Sequence, residues 1–268
     1  VSAMSALNRY QDLSVVRDVD GFVIGRRGSA DFVAVPEIGG LVVQWLQEGH
    51  SVAECTVKAS QTAGQDVDVE EFLDDLTAAG ILADVTPPAK TASGRRIGAF
   101  FFGPAGVTVL GLLAAIGLVL MVFDARLRPV YQDGLPGSSP LASVLIMAAL
   151  TSGLTVIHEF AHKLAAARLD VYGRISLGRR LYFIVAQTDL TGLWAVERRR
   201  RVVPLLAGML VEAAIAGVML LMQVLLDDHH EVFRAVVFLV LGGLVAQTAI
   251  YMRTDFYALI LVATGCQN

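Results

Sequence analysis

Two histidines and a glutamate lie close together in the chain, as His158-Glu159-Phe160-Ala161-His162. If this stretch is helical, His158 and His162 project from nearly the same face, because four residues turn a helix by about 400°. Both imidazoles can then reach one metal ion, and the Glu159 carboxylate lies beside it, where it can take a proton from a water molecule. The spacing therefore indicates hydrolytic chemistry at a zinc ion. The alternative is a buried cluster in which these three side chains pair only with one another.

The motif lies in a chain whose composition is typical of a membrane protein. Of its 268 residues, 55% are hydrophobic, whereas soluble domains contain about 45–50% apolar residues. The mean hydropathy is +0.61. Four apolar runs are long enough to cross ~30 Å of hydrocarbon as helices, and these are Ile97–Phe123, Leu141–Ala167, Val202–Leu226 and Ala235–Met252. We therefore predict an all-α polytopic membrane domain of about four transmembrane helices, with the motif in the second.

Residues 1–88 differ from the rest in charge and in pattern. They carry 5 Lys or Arg against 14 Asp or Glu, a net charge of −9, which argues against binding of nucleic acid. Short strands are predicted at Leu13–Arg17, Gly21–Arg26 and Asp31–Val35. Amphipathic helices are predicted to begin near residues 36, 51 and 68, and a last strand at residues 81–85.

This order of elements resembles a winged-helix module, and more closely the PqqD-like peptide-recognition domains of bacterial peptide-modifying enzymes. The resemblance covers residues 13–85 and depends on the element order and on a strand followed by Pro36-Glu37-Ile38-Gly39. It implies that the leader of a precursor peptide binds by adding a strand to a sheet edge. The alternatives are a generic winged helix or an unrelated α/β cap. The predicted fold is thus multi-domain, with a small α+β winged-helix-like domain (1–88), a linker (89–96) and the transmembrane domain (97–268).

The positions of Lys and Arg predict the orientation in the membrane. These residues are frequent before the first span, between the second and third spans and directly after the fourth, which are the loops expected on the cytoplasmic side. We therefore predict a multi-pass protein of a bacterial-type cell membrane with both termini in the cytoplasm. His158 and His162 then lie near the cytoplasmic end of their span, on the same side as the N-terminal domain.

A catalytic zinc takes three protein ligands and keeps one position open for water or substrate. Asp255 is the best-placed third ligand, because it follows the fourth span on the cytoplasmic side. His229 and His230 belong to a loop on the opposite side, and His50 belongs to the N-terminal domain. Glu212 lies within the third span, where it either supports the site or relays protons, or is simply a packed, protonated glutamate.

Several further features accompany the His-Glu-x-x-His sequence: a later span that ends in an aspartate, the segment 188–194, an arginine-rich segment at 198–201 and Ala207-Gly208. With these features, residues 140–265 resemble the site-2 protease family of membrane-embedded zinc metallopeptidases, in particular its branch of peptide zinc metalloproteases that occurs beside peptide-modification genes. The resemblance implies zinc ligation by His158, His162 and Asp255, with Glu159 as the general base. The chain departs from the family's Asn-Pro-Asp-Gly pattern, since residues 253–256 contain neither the proline nor the glycine.

The two resemblances together imply a membrane-embedded zinc endopeptidase that matures a ribosomally made modified peptide or removes its leader. Its expected partners are a precursor peptide, the lipid bilayer and peptide-modifying enzymes or an exporter, and no nucleic acid. One alternative is a catalytically inactive, membrane-anchored peptide-binding or export partner. Another is a regulated intramembrane protease that cleaves membrane-protein substrates.

Two candidate substrate-binding elements accompany this hypothesis. Tyr182, Phe183, Ile184 and Val185 are predicted to form a strand whose edge binds an extended peptide, or a re-entrant hairpin that only packs against the core. Arg253 is predicted to hold a substrate carboxylate or carbonyl, or else to anchor its helix at the membrane surface.

Overall fold

The computed structural model describes residues 9–18, 21–26, 32–82, 92–171, 173, 175–180, 183–226, 230–249, 251 and 254–265. Most of these residues are helical, and a small three-stranded sheet lies near the N-terminus. We number strands and helices in chain order.

The N-terminal sheet consists of β1 (Leu13–Asp18), β2 (Gly21–Arg26) and β3 (Phe32–Val35). The strands are antiparallel in the order β1-β2-β3, which confirms the three predicted strands. Side chains alternate between the two faces of a strand, and Leu13, Phe22, Ile24 and Val35 form a buried core on one face of this sheet.

Three helices follow the sheet: α1 (Glu37–Gln47), α2 (Val52–Ala63) and α3 (Val69–Ala78). Helix α2 begins with a capping box, in which Ser51 and Glu54 each accept a hydrogen bond from the other's backbone N–H. The bond that the Ser51 N–H donates also holds the pKa of the Glu54 carboxyl below its usual range. All three predicted helices are therefore confirmed.

The closing strand predicted at residues 81–85 is not seen in the part of the chain that the structure describes. Ile81 and Leu82 are buried in the core but form a bend, and residues 83–85 lie outside the described residues. The winged-helix and PqqD-like interpretations remain predictions, as do the domain boundaries.

The first apolar run is two helices and not one continuous span. Helix α4 (Ala92–Phe102) ends before Gly103, and α5 (Pro104–Phe123) begins at Pro104. Proline has no backbone N–H and fits the first turn of a helix, but it disrupts a helix interior, so the Gly-Pro pair separates the two. Helix α4 also begins within the predicted linker (89–96), because residues 92–96 are already helical.

Among the described residues, three helices are long and apolar enough to cross a membrane. They are α5, α6 (Pro140–Ala167) and α7 (Arg198–Leu226), and they make the chain consistent with a membrane protein. The predicted fourth span corresponds to α8 (Glu231–Gln247). Its 17 residues extend about 25 Å, which is less than the ~30 Å hydrocarbon core. A last apolar helix, α9 (Asp255–Thr264), has 10 residues.

Helix α7 is the central helix of this bundle and contacts α5, α6, α8 and α9. Its approach to α5 is close, because a Cβ added at Gly117 of α5 would lie 2.6 Å from the Cα of Gly217 in α7. The helix that carries the His-Glu-x-x-His sequence, α6, therefore packs against a helix whose own position is fixed from several sides.

The prediction that the second domain is all α-helical is wrong. An antiparallel hairpin of β4 (Ile175–Arg180) and β5 (Phe183–Thr188) lies between α6 and α7. The sequence of β5, FIVAQT, is rich in β-branched and aromatic residues, which pack well on a pleated surface. A short 3-10 helix (Thr191–Ala195) then leads to α7.

Candidate metal centre

His158 and His162 lie on one face of α6 and are both buried, with 7% and 2% of their surfaces exposed. Their Nε2 atoms are 3.0 Å apart. The helical geometry and the shared face predicted from the four-residue spacing are therefore present in the fold.

Asp255, the first residue of α9, completes a three-residue group with the two histidines. Its Oδ2 atom lies 3.0 Å from Nε2 of His158 and 3.3 Å from Nε2 of His162. Thr254 caps α9 and also donates a hydrogen bond of 2.6 Å from its hydroxyl to the carbonyl of Gln247, the last residue of α8. The end of α8 thus fixes where α9 begins, and with it the position of Asp255.

The outer nitrogen of each imidazole has a hydrogen-bond acceptor from α7. Nδ1 of His162 lies 2.7 Å from the carbonyl oxygen of Pro204, and Nδ1 of His158 lies 3.1 Å from Oε1 of Glu212. A carbonyl oxygen can only accept, so Nδ1 of His162 donates to it, and in the neutral imidazole Nε2 then keeps a free lone pair. Donation from Nδ1 of His158 to the Glu212 carboxylate leaves the same lone pair on that ring.

With both rings neutral, two nitrogen lone pairs and a carboxylate oxygen converge on one point, where a bound cation would offset their mutual repulsion. The distances fit a metal ion, because ligands held ~2.0–2.1 Å from a tetrahedral zinc lie about 3.3 Å from one another. The three observed separations are 3.0, 3.0 and 3.3 Å. The group of His158, His162 and Asp255 can therefore bind a metal ion, and its donor types suit zinc.

Glu212 lies beside His158, a candidate metal ligand. This position agrees with the prediction that Glu212 supports the site. Pro204, which sequence reasoning did not single out, serves the other histidine in the same way. Acceptors of this kind fix the ring orientation of metal-binding histidines. The only available signal for Pro204 was an interior proline in an apolar helix.

Gln247 was also missed, although it holds the third member of the group. Its side-chain amide donates to Oδ2 of Asp255 at 3.3 Å and its Oε1 accepts from the Asp255 backbone N–H at 3.2 Å. A polar residue at the end of an apolar helix, eight positions before the aspartate, was the one available signal.

Gly208 allows the approach of α7 to the His158 ring. A Cβ added there would lie 2.5 Å from Cε1 of His158 and 2.6 Å from Cδ2, closer than real carbon atoms approach. Pro204, Gly208 and Glu212 are spaced by four residues, so one stripe along α7 contacts both histidines. The Ala207-Gly208 pair noted in the sequence therefore has a steric explanation.

Replacing Gly208 by alanine is expected to lower the zinc content of the purified protein markedly. Alanine normally stabilises a helix relative to glycine by about 0.5–1 kcal/mol, but here the new methyl group would displace the His158 imidazole. Gly153→Ala in α6 is the matched control, because a Cβ there meets nothing within 4 Å. Bound zinc is measured by elemental analysis, and equal zinc in both variants would contradict the steric explanation.

Glu159, the predicted general base, is half-buried and contacts Thr188 at the end of β5. The Thr188 hydroxyl lies 2.8 Å from Oε2 of Glu159 and 2.9 Å from its carbonyl oxygen. Thr188 and Asp255 both line a cavity of about 220 Å³. The hairpin therefore contacts the candidate base through Thr188, and Thr188 shares a cavity with Asp255, a candidate metal ligand.

The other predicted substrate-binding residues are placed only in part. Phe183, Ile184 and Val185 belong to strand β5, as predicted. Tyr182 and Arg253 lie outside the described residues. The roles of all five in binding a substrate remain predictions.

Comparison with protein-family models, with curated proteins and with solved structures found no match to this chain. What this candidate metal centre does is therefore inferred from its own side chains and from the elements around them.

Proposed function

We propose that this chain is a membrane-embedded zinc endopeptidase that removes the leader of a ribosomally made modified peptide or otherwise matures it. The observation that carries the proposal is the convergence of His158, His162 and Asp255, with separations of 3.0–3.3 Å between their donor atoms. Glu159 follows the first ligand directly in the sequence, and its carboxylate accepts a hydrogen bond from Thr188, which lines the same cavity as Asp255.

The residues around the centre can perform peptide hydrolysis. When bound, zinc would polarise a peptide carbonyl and lower the pKa of a bound water towards ~7. The Glu159 carboxylate takes a proton from the attacking water and returns it to the leaving amine. Thr188, by donating to Oε2, orients the carboxylate for both transfers. Glu212 and the Pro204 carbonyl hold the two imidazoles in the tautomer that the metal needs.

The fold also favours an extended peptide as the substrate. A helical segment hides its amide groups in internal hydrogen bonds, whereas an extended one offers them to a strand edge. Hairpin β4–β5 provides such an edge next to Glu159. In the orientation proposed from the Lys and Arg distribution, the metal centre and the acidic N-terminal domain both face the cytoplasm, where a precursor peptide is made.

Two other functions make different predictions. A peptide-binding or export partner would have no need of a general base, and the hydrogen bond that Thr188 supplies to Glu159 favours an active enzyme over it. A regulated protease of membrane proteins would need its substrate to reach the site from the lipid. Ile157 and Phe160, beside the motif, are 44% and 49% exposed, and this exposure is the observation that favours the alternative. Deleting residues 1–88 would abolish cleavage of soluble peptides in the proposed function but only remove regulation in the second alternative.

Purified, detergent-solubilised protein is expected to cleave members of a randomised library of short synthetic peptides, with products read by mass spectrometry. Removing the metal with 1,10-phenanthroline should abolish cleavage, and added zinc should restore it, because a bound metal would supply both the activated water and the carbonyl polarisation. Cleavage that continues at full rate in protein shown to be free of metal would refute the proposed function.

A further inference from the structure

The N-terminal sheet has a second face, opposite its helices, and this face lies against the membrane half of the chain. Ser14 donates a hydrogen bond of 2.8 Å to the carbonyl of Ala195. Val23 is only 5% exposed, although it projects away from the core formed with α1 and α3. In the strand register Val23 lies opposite Ala34, and Gly25 lies opposite Phe32, so Phe32 and Ala34 share the face that meets the 3-10 helix Thr191–Ala195.

Arg201 of α7 fixes this contact. Its side chain is 2% exposed and donates to the carbonyls of Val196 and Trp194 at 2.7 and 2.9 Å. It also lies 3.8 Å from Oδ2 of Asp18 on β1, and its guanidinium stacks 5.0 Å from the centre of the Trp194 ring. A buried guanidinium with this many partners makes Arg201 and Trp194 a fixed wall.

A cavity lies on each side of that wall. One, of about 270 Å³, is lined by Val23, Phe32 and Ala34 from the sheet and by Leu261 and Val262 from α9. The other is the cavity of about 220 Å³ that Asp255 and Thr188 line. Trp194, Arg201 and Val262 belong to the walls of both, so the two cavities adjoin.

The first cavity, which we call the sheet-side cavity, suits an apolar group. The charged side chains in its wall are already engaged, since Asp18 pairs with Arg201 and Arg198 donates to the carbonyls of Val262 and Ala263. The remaining wall residues named above are apolar. Phe32, in the wall of this cavity, is 36% exposed, and β3 pairs only with β2 among the described strands, so the other edge of β3 is unpaired among these strands.

We propose that the two cavities are adjoining subsites for one extended peptide, with an apolar substrate side chain in the sheet-side cavity and the scissile bond beside Asp255. This inference rests on the proposed function and deepens it. Successive residues of an extended chain advance by about 3.3 Å, so a fixed wall between the subsites sets a fixed number of residues between the apolar side chain and the cleaved bond. Substrates are therefore selected by an apolar residue at one defined distance from cleavage.

The test compares cleavage maps of the randomised peptide library for the wild type and for Ala34→Phe, whose ring would fill the sheet-side cavity. Wild-type cleavage sites should be enriched in apolar residues at one position, and the variant should lose that preference by about ten- to hundredfold, the effect of failing to bury one such side chain. Zinc content should be unchanged. Ala53→Phe on the exposed side of α2 is the matched control and should keep the preference.

A second readout separates this inference from the proposed function. The photo-crosslinking residue p-benzoylphenylalanine replaces Phe32 in a Glu159→Gln background, with or without Ala34→Phe, and the same library is added. Peptide crosslinks that form at residue 32 and disappear with Ala34→Phe support the subsite. They do so even if the wild type cleaves no peptide, because the absence of cleavage refutes only the proposed peptidase activity. Cleavage by Ala34→Phe with the preference intact overturns the subsite and leaves the peptidase standing. Crosslinks to phospholipid only, or to nothing, overturn the peptide subsite.

Discussion

Asp255→Ala is expected to remove zinc from the purified protein, whereas the wild type should hold about one zinc per chain, as a three-ligand catalytic site does. The substitution deletes the one negatively charged donor among the three converging atoms and leaves two neutral imidazoles. Changes to residues that merely support a ligand cost about 10- to 100-fold in metal affinity. Loss of a direct ligand should exceed that range.

Asp74→Ala, on the exposed side of α3, is the control for Asp255→Ala and should bind zinc as the wild type does. Gln247→Leu should fall between them, because it removes the hydrogen bonds that orient Asp255 but keeps the carboxylate. Circular dichroism of each variant checks that the helices remain. If Asp255→Ala retains all its zinc, Asp255 is not a ligand, and Glu212 becomes the next residue to replace.

Glu159→Gln is expected to lower peptide hydrolysis by about 10²- to 10⁴-fold, the usual contribution of a general base, while zinc content stays at the wild-type level. Glutamine has nearly the shape of glutamate and still accepts the Thr188 hydrogen bond, but it cannot take a proton from water. The measurement pairs the rate of cleavage of one library peptide with elemental analysis of the same protein sample.

Glu197→Gln provides the same chemical change at an exposed position just before α7 and should leave the rate unaltered. A Glu159→Gln variant that cleaves at the wild-type rate would exclude Glu159 as the base. A variant that loses both zinc and cleavage would instead assign Glu159 to holding the metal site together.

Much of the local structure could be predicted because its signals are short in sequence. The Ser51–Glu54 capping box and the alternation in β1 to β3 each depend on neighbours within a few residues. The pairing of His158 with His162 follows from one helical turn. Asp255 was a longer-range prediction, made from charge distribution along the apolar runs, and the fold brings it to the histidines.

The errors and omissions have two different causes. The break between α4 and α5 was readable from Gly103-Pro104, since this dipeptide favours a boundary, but the uncharged run concealed it. Gly208 contacts a residue 50 positions away and Thr188 one 29 positions away, whereas Gln247 contacts a residue across a helix end. No local sequence pattern indicates which partner each of them will contact. Their contributions depend on how α7, α8 and β5 pack around α6.

The stripe of Pro204, Gly208 and Glu212 on α7 has a mechanical consequence. Because one face of α7 contacts both imidazoles, a rotation or a one-residue slip of α7 against α6 would break all three contacts together. An ion bound by two residues of α6 and one of α9 would resist such a slip, and α7 lies in contact with both helices. A bound ion would then couple the register of α6 against α7 to the docking of α9. Loss of the metal and misalignment of these helices would therefore occur together.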